Sequence, residues 1–316
     1  MRAVQTTSWE EGPHQVTLDA PPAPSESQLQ LRMKYVGLHN VVRSRASGRH
    51  YSASLLPHTV GIDGVGVDEA TGKHYFVIGM APNFGTAVEV LNVDRRAAVP
   101  LPEGAAADAA AVAASVNPGM SSWLALKLRT ADLPQGFTAL VLGATSASGE
   151  LAVPLARALG AAAVVGAARN PEALAAVPGL DRRVELRGDG GADTDWTGIL
   201  EGVDVVLDYI SGDVAARVLE ALPPRGKAVQ FVQIGGLSGQ PSINVPSAAL
   251  RSKNLTIRGS GPGAFSIPEM AKEMPGLVAA LAAMELKKPQ LVPLDEFERV
   301  WADKAVAKNG RIVFTL

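Results

Sequence analysis

Short apolar runs recur through the middle of the chain, each followed by a helical segment, and this rhythm restricts the fold more than any other feature. Thr138–Leu142, Ala162–Ala167, Val203–Leu207 and Ala228–Ile234 read as strands, with a weaker one at Arg183–Leu186 and a last short one at Leu255–Ile257. Helices are predicted between them at Glu150–Leu159, Pro171–Ala176 and Asp213–Leu222. Strands that are apolar almost throughout, rather than on alternate residues, need both faces covered. A parallel sheet with helices on each side supplies that cover. The middle of the chain is therefore read as a doubly wound α/β domain.

The flanks follow different patterns. Leu29, Leu31, Met33 and Tyr35 alternate with Gln30, Arg32 and Lys34, the period of a half-buried strand that Gly37 ends. Thr59–Val67 and Tyr75–Met80 are further strand candidates, and His39–Pro57 reads as a long mixed loop of the kind that often carries function. After Pro100 a helix is predicted over Ala105–Ala114, then a turn at Asn117-Pro118-Gly119, then a helix over Ser121–Leu128. The end of the chain reads as a helix over Pro268–Met284, a strand at Leu291–Pro293, a helix over Leu294–Val306 and a strand at Arg311–Phe314. This tail is expected to pack against the first domain, because alone it is too small to bury a core.

Composition narrows the function. The 316 residues exceed what one hydrophobic core usually organises, so two domains are expected. With 29 basic and 31 acidic residues and no basic block, nothing tracks a phosphate backbone, and nucleic acid is not expected as a partner. There is no Cys, which excludes disulfides, thiolate nucleophiles and a Cys-rich zinc lobe. The N-terminus lacks the apolar run of a signal peptide, and Ala105–Val116 is interrupted by Asp108 and too short to span a bilayer. A cytoplasmic protein with no membrane association is the expectation.

The sharpest local signal is Gly143-Ala144-Thr145-Ser146-Ala147-Ser148-Gly149, between a strand and a helix. Small residues let the backbone approach a pyrophosphate, and the helix N-terminus offers unpaired N–H groups to its charge. The strict three-glycine pattern is absent: Ala144 and Ser146 stand at the first two glycine positions and Gly149 at the third. At the end of the next strand no acid occupies Ala167 or Ala168, and Arg169 follows. An acid there would accept from the ribose diol of NADH, whereas an Arg pairs with a 2'-phosphate, so NADPH is the expected cofactor. The plain alternative is an Arg that only solvates a strand end. Asp208 and Gln233-Ile234-Gly235 follow later strands and fall on the same edge of the sheet, where ligands of such sheets bind. Asp208 is equally readable as a turn cap, and the glycines as a turn.

With these segments stand Val36-Gly37-Leu38-His39-Asn40, Leu56 to Gly66 (LPHTVGIDGVG) and Asn309-Gly310-Arg311-Ile312-Val313. In order and spacing they resemble the medium-chain dehydrogenase/reductase superfamily, in its zinc-free quinone oxidoreductase and enoyl reductase branch, over essentially the whole chain. The resemblance implies a mainly β, GroES-like domain (residues 1–118 and 262–316) completed by the C-terminal tail, and a Rossmann-type dinucleotide domain (residues 119–261). Zinc-dependent relatives carry Cys near His39 and His where this chain has Ile62, so no metal is expected. It further implies hydride transfer from NADPH to a small apolar carbonyl or quinone substrate. Asn40 and Tyr51 would lie beside the substrate, with the phenol donating a hydrogen bond or proton. Asn117 and Ser121 would lie beside the nicotinamide, and Ser260 and Asn309 would close over the dinucleotide. A homodimer is implied, with Gln240–Val245 as an added edge strand. An enoyl thioester reductase and a non-catalytic NADPH-binding regulatory protein are the alternatives.

Overall fold

The computed structural model describes residues 1–50, 52–82, 84–224, 228–303 and 310–316. Tyr51 and Asn309, both singled out above, lie outside the described residues. The chain divides into two compact units, one of residues 1–117 with 274–316, the other of residues 118–273. The second unit extends past the Gly261 boundary read from sequence. Its extra residues are tied to it by Arg129, which donates to the Gly259 and Ala264 carbonyls, and by Trp123, whose indole N–H donates to Glu273.

The first unit begins with β1 (Arg2–Thr6), β2 (Pro13–Thr17), β3 (Gln28–Leu38), α1 (Asn40–Ala46), β4 (His58–Thr59), β5 (Asp63–Asp68), β6 (Lys73–Ile78), β7 (Val90–Asp94) and β8 (Ala98–Pro100). The chain then enters α2 (Ala109–Leu128). The second unit continues with β9 (Thr138–Leu142), α3 (Ala147–Ala158), β10 (Ala163–Ala168), α4 (Pro171–Ala175), β11 (Arg182–Glu185), β12 (Val205–Asp208), α5 (Gly212–Ala221), β13 (Val229–Gln233), α6 (Ser247–Ser252) and β14 (Leu255–Gly259). Helix α7 (Ile267–Ala282) leads to the tail: β15 (Gln290–Pro293), α8 (Phe297–Ala302) and β16 (Ile312–Thr315).

In the first unit a mixed sheet runs β15-β16-β3-β5-β6-β8, with β7 also paired to β3, and a smaller sheet runs β2-β1-β4. The tail strand β16 lies antiparallel on β3, Phe314 against Val36, so the C-terminus completes the N-terminal sheet. Leu31, Met33, Val36, Ile62, Phe297 and Phe314 form the buried centre. The Thr59–Val67 stretch is two strands, because Gly61 at φ +96° turns the chain between β4 and β5. The His39–Pro57 loop contains α1, whose Val42, Arg45 and Ala46 face inward.

The second unit is a six-stranded parallel sheet in the order β11-β10-β9-β12-β13-β14. The order reverses around β9, giving the doubly wound Rossmann-type arrangement in which a crevice opens beyond the strands' carboxyl ends. Two sequence expectations fail here. Asn117-Pro118-Gly119 is not a turn: α2 runs through it with Pro118 inside. That helix is buried almost all round, so packing outweighs the helix-breaking preference of Pro and Gly. Gln240–Val245 forms no strand, and β14 is the sheet edge on that side.

Candidate functional site

The turn after β9 is built from backbone contacts that its small residues permit. Gly143, at φ +89°, donates to the Ala167 carbonyl at 2.8 Å, which draws the turn against the end of β10. A Cβ on Gly149 would stand 2.2 Å from the Gly143 carbonyl oxygen, so only glycine lets the first turn of α3 approach the strand this closely. Ser146 caps α3, its hydroxyl accepting the Gly149 N–H at 3.0 Å. Such a cap stabilises a helix by about 1 kcal/mol and fixes where its free N–H groups point.

This turn borders a cleft of about 310 Å³. Gly143, Thr145, Ser146 and Arg169, all singled out by the sequence, line it together with Ala168. The rest of the lining is Leu186 and Gly188-Asp189-Gly190-Gly191 after β11, which the sequence did not single out, and Ile210, Val214, Leu237, Ser238 and Gln240 just beyond the two later strand ends that it placed on this edge. Gln240 grips the start of α5 through two hydrogen bonds, accepting the Asp213 N–H at 2.7 Å and donating to Asp213 Oδ2 at 2.8 Å. The Leu237 and Ser238 N–H groups donate to the Tyr209 and Ile210 carbonyls, laying one strand-end loop along the next.

The other proposed cofactor residues lie apart from that lining. Ala144 is fully buried beneath the turn, Ala147 and Ser148 begin α3, and Gly149 packs against Gly143. Asp208 is 0% exposed and directs Oδ1 back to the N–H groups of Ile210 and Ser211, both at 2.9 Å. In this structure it caps the turn after β12. Oδ2 is buried without a hydrogen-bond partner among the described residues, and burial raises the carboxyl to about 6 against the pull of the two N–H groups. Gln233 folds back to its neighbouring Gly235 carbonyl, Ile234 is half-buried and Ser260 is buried, its N–H bonded to the Gln233 carbonyl. Ser121 donates to the Pro118 carbonyl, and so accepts from the Tyr209 hydroxyl at 3.0 Å. Burial pushes that phenol up to about 12. Asn117 lies within α2, and Asn40 is exposed at the first turn of α1.

In the first unit His39 is buried between opposite charges. Its Nε2 lies 3.0 Å from Asp63 Oδ1, and Arg311 Nη1 lies 3.0 Å from its Nδ1. A guanidinium only donates, so Nδ1 accepts and Nε2 carries the proton toward Asp63. Gly37 makes room: a Cβ there would stand 2.4 Å from His39 Nε2.

Comparison with known proteins places this geometry in a family. The zinc-binding dehydrogenase family profile matches residues 147–282. A probable NADPH-dependent quinone reductase, tdiC, of Emericella nidulans is 39% identical over 360 aligned positions, which cover 99% of each chain. Prostaglandin reductase-3 of Bos taurus is 26% identical, covering 84% of this chain and 72% of its own. Among solved structures, the quinone oxidoreductase of Thermus thermophilus superposes over 100% of both chains with a TM-score of 0.75 and 28% identity. The chain belongs to the medium-chain dehydrogenase/reductase superfamily, in its zinc-free quinone oxidoreductase and enoyl reductase-like branch.

The zinc in the profile's description does not fit the residues present. His39 and Asp63 are engaged with each other, Arg311 places a cation on the second imidazole nitrogen, and Ile62 offers no ligand. Among the described residues no group of three or more His, Cys, Asp or Glu converges. The dinucleotide does fit: Gly143 and the helix cap Ser146, from a turn that the glycine-only approach of Gly149 keeps tight, line one cleft with Arg169.

Proposed function

We propose that this chain is an NADPH-dependent reductase acting on a quinone or on the C=C bond of an α,β-unsaturated ketone or aldehyde, without zinc. One observation carries the reading: Arg169 lines the same cleft as the Gly143–Ser146 turn, and the strand it follows ends in Ala167-Ala168 with no acid. The turn and the first N–H groups of α3 would hold the pyrophosphate, and Arg169 the 2'-phosphate. The bound cofactor supplies the hydride, and the protein's task is to orient the acceptor and to stabilise charge that develops on its oxygen. Asn40 and Tyr51 are proposed for that substrate side, with Tyr51 donating a hydrogen bond or the proton that completes reduction. Asn117, Ser121, Ser260 and Asn309 are proposed around the dinucleotide, with Asp208, Gln233, Ile234 and Gly235 supporting its loops. The reading includes a cytoplasmic homodimer.

The test follows nicotinamide absorbance with NADPH and NADH over quinones, short enones, enals and enoyl thioesters, with products analysed for C=C against C=O reduction. NADPH oxidation with C=C or quinone reduction is the expected result, and turnover confined to thioesters would move the assignment to that class. Tight nucleotide binding with no turnover across the panel would favour a regulatory protein. Arg169→Ala is expected to weaken NADPH binding by about 10–100-fold while leaving NADH nearly unchanged, as loss of a charge-assisted pair implies. Tyr51→Phe is expected to lower kcat by about 100-fold with little change in nucleotide affinity.

A further inference from the structure

The cleft that holds Arg169 also holds one carboxylate among its described lining residues, Asp189. It comes from the loop after β11 rather than from the strand end where an acid facing a ribose is usually sought. That loop is built, not incidental. Gly188, Gly190 and Gly191 take φ of +71°, +56° and +78° on either side of Asp189. Arg217 donates to the Gly190 carbonyl at 3.1 Å, and the Asp193 N–H donates to the Arg187 carbonyl at 3.0 Å. The Arg187 N–H is met by Thr194 Oγ1 at 3.0 Å. A Cβ on Gly190 would stand 2.6 Å from Asp213 Cβ, so the loop is pressed against the start of α5, which Gln240 also grips at Asp213. The loop is thereby held with Asp189 on the cleft wall, where its side chain is exposed.

The two side chains ask for different ligands. A guanidinium favours a phosphate, and a carboxylate accepts hydrogen bonds from hydroxyl groups and repels a phosphate. A 2'-phosphate carries close to two negative charges near neutral pH. We propose that Asp189 is a specificity-determining residue which opposes Arg169, weakening the dianionic 2'-phosphate form of the cofactor and favouring the free ribose diol, so that the cleft accepts NADH alongside NADPH. The inference rests on the reading of this cleft as the dinucleotide site. The two side chains set the ratio of the affinities, and the turn below them holds the pyrophosphate common to both cofactors.

The experiment is a fluorescence titration of the whole chain with NADPH and with NADH, for wild type, Asp189→Asn, Asp189→Glu and the Arg169→Ala/Asp189→Asn double variant. Asp189→Asn is expected to tighten NADPH and weaken NADH, each by roughly 3–10-fold, the range of one partly screened charge and one hydrogen bond. Asp189→Glu is expected to restore the wild-type preference. The shift in NADPH affinity should shrink as salt rises from about 0.05 to about 0.5 M, because the repulsion is screened. A loop that merely lost shape would move both cofactors in the same direction and show no such salt dependence. Equal shifts for the two cofactors, or no shift in either, would overturn the inference while leaving the nucleotide site intact. Failure of the wild-type protein to bind either cofactor would instead overturn the reading of the cleft, and the inference with it.

Discussion

At the scale of single residues, close approach and burial decide most of the site. Gly149 is required by geometry: a Cβ there would come within 2.2 Å of the Gly143 oxygen, so Gly149→Ala must push α3 away from the strand. The expected outcome is a loss of NADPH affinity of more than about 10-fold by fluorescence titration, with destabilisation of roughly 1–3 kcal/mol from the strain. Unchanged affinity would show that the turn does not hold the pyrophosphate. Asp208 gives a pH prediction. Its carboxyl is raised from 3.8 to about 6 by burial, so between those values the folded protein keeps a proton that the unfolded chain has released. Stability from this group is therefore lost as pH rises through about 4 to 6, and the full cost, on the order of 3 kcal/mol, is present above that window. Asp208→Asn keeps an oxygen for the Ile210 and Ser211 N–H groups and removes the titration. The difference in urea unfolding free energy between variant and wild type should grow in the variant's favour from about pH 4 to 6 and then level off; a pH-independent difference would exclude the account.

At the scale of elements, the sequence was informative where one force acts alone. The central strands announced themselves because parallel strands covered on both faces must be apolar throughout, and β9 falls on Thr138–Leu142 as read. Pro118-Gly119 misled because local preference and burial oppose each other there, and burial along α2 prevails. The Gly143–Gly149 turn and Arg169 were legible from local chemistry. The ends of β12 and β13 were placed on the right edge, but the particular lining residues beyond them, and the whole loop after β11, were not, because only the sheet order brings those loops together. Gln240 is the clearest case: nothing in its neighbours signals that it caps a helix which begins at Gly212. Removing that grip leaves the Asp213 N–H without its acceptor and unties the end of the loop from α5, while Leu237 and Ser238 keep their backbone bonds to Tyr209 and Ile210. Gln240→Ala is expected to cost about 1 kcal/mol of stability, the usual value of a helix cap, and to weaken both NADPH and NADH by a similar factor of about 3–10. Parallel losses for the two cofactors would separate this positioning role from the opposed shifts expected at Asp189.

At the scale of the whole molecule, the Rossmann-type sheet has two open edges, and their residues differ in what they invite. Strand β11 presents Arg182 and Arg183 as exposed charges, the kind of edge that resists pairing with another strand. Strand β14 carries a single exposed charge, Arg258, beside its central Ile257, which is 39% exposed, and Leu250 on the preceding α6 is 51% exposed. A two-fold dimer requires the same surface on both copies, and antiparallel pairing of β14 with its own copy meets that condition while satisfying free backbone groups. The proposed homodimer is therefore expected to form through β14, and Ile257→Lys to weaken it by placing like charges near the axis. Sedimentation velocity at micromolar concentration should give a dimer for wild type and a shift toward monomer for the variant, with the second unit's nucleotide affinity retained because the cleft lies among the loops following β9 to β13. A wild-type monomer would remove the dimer from the functional reading, whereas a variant that stays dimeric would move the interface away from β14 to another surface of the molecule.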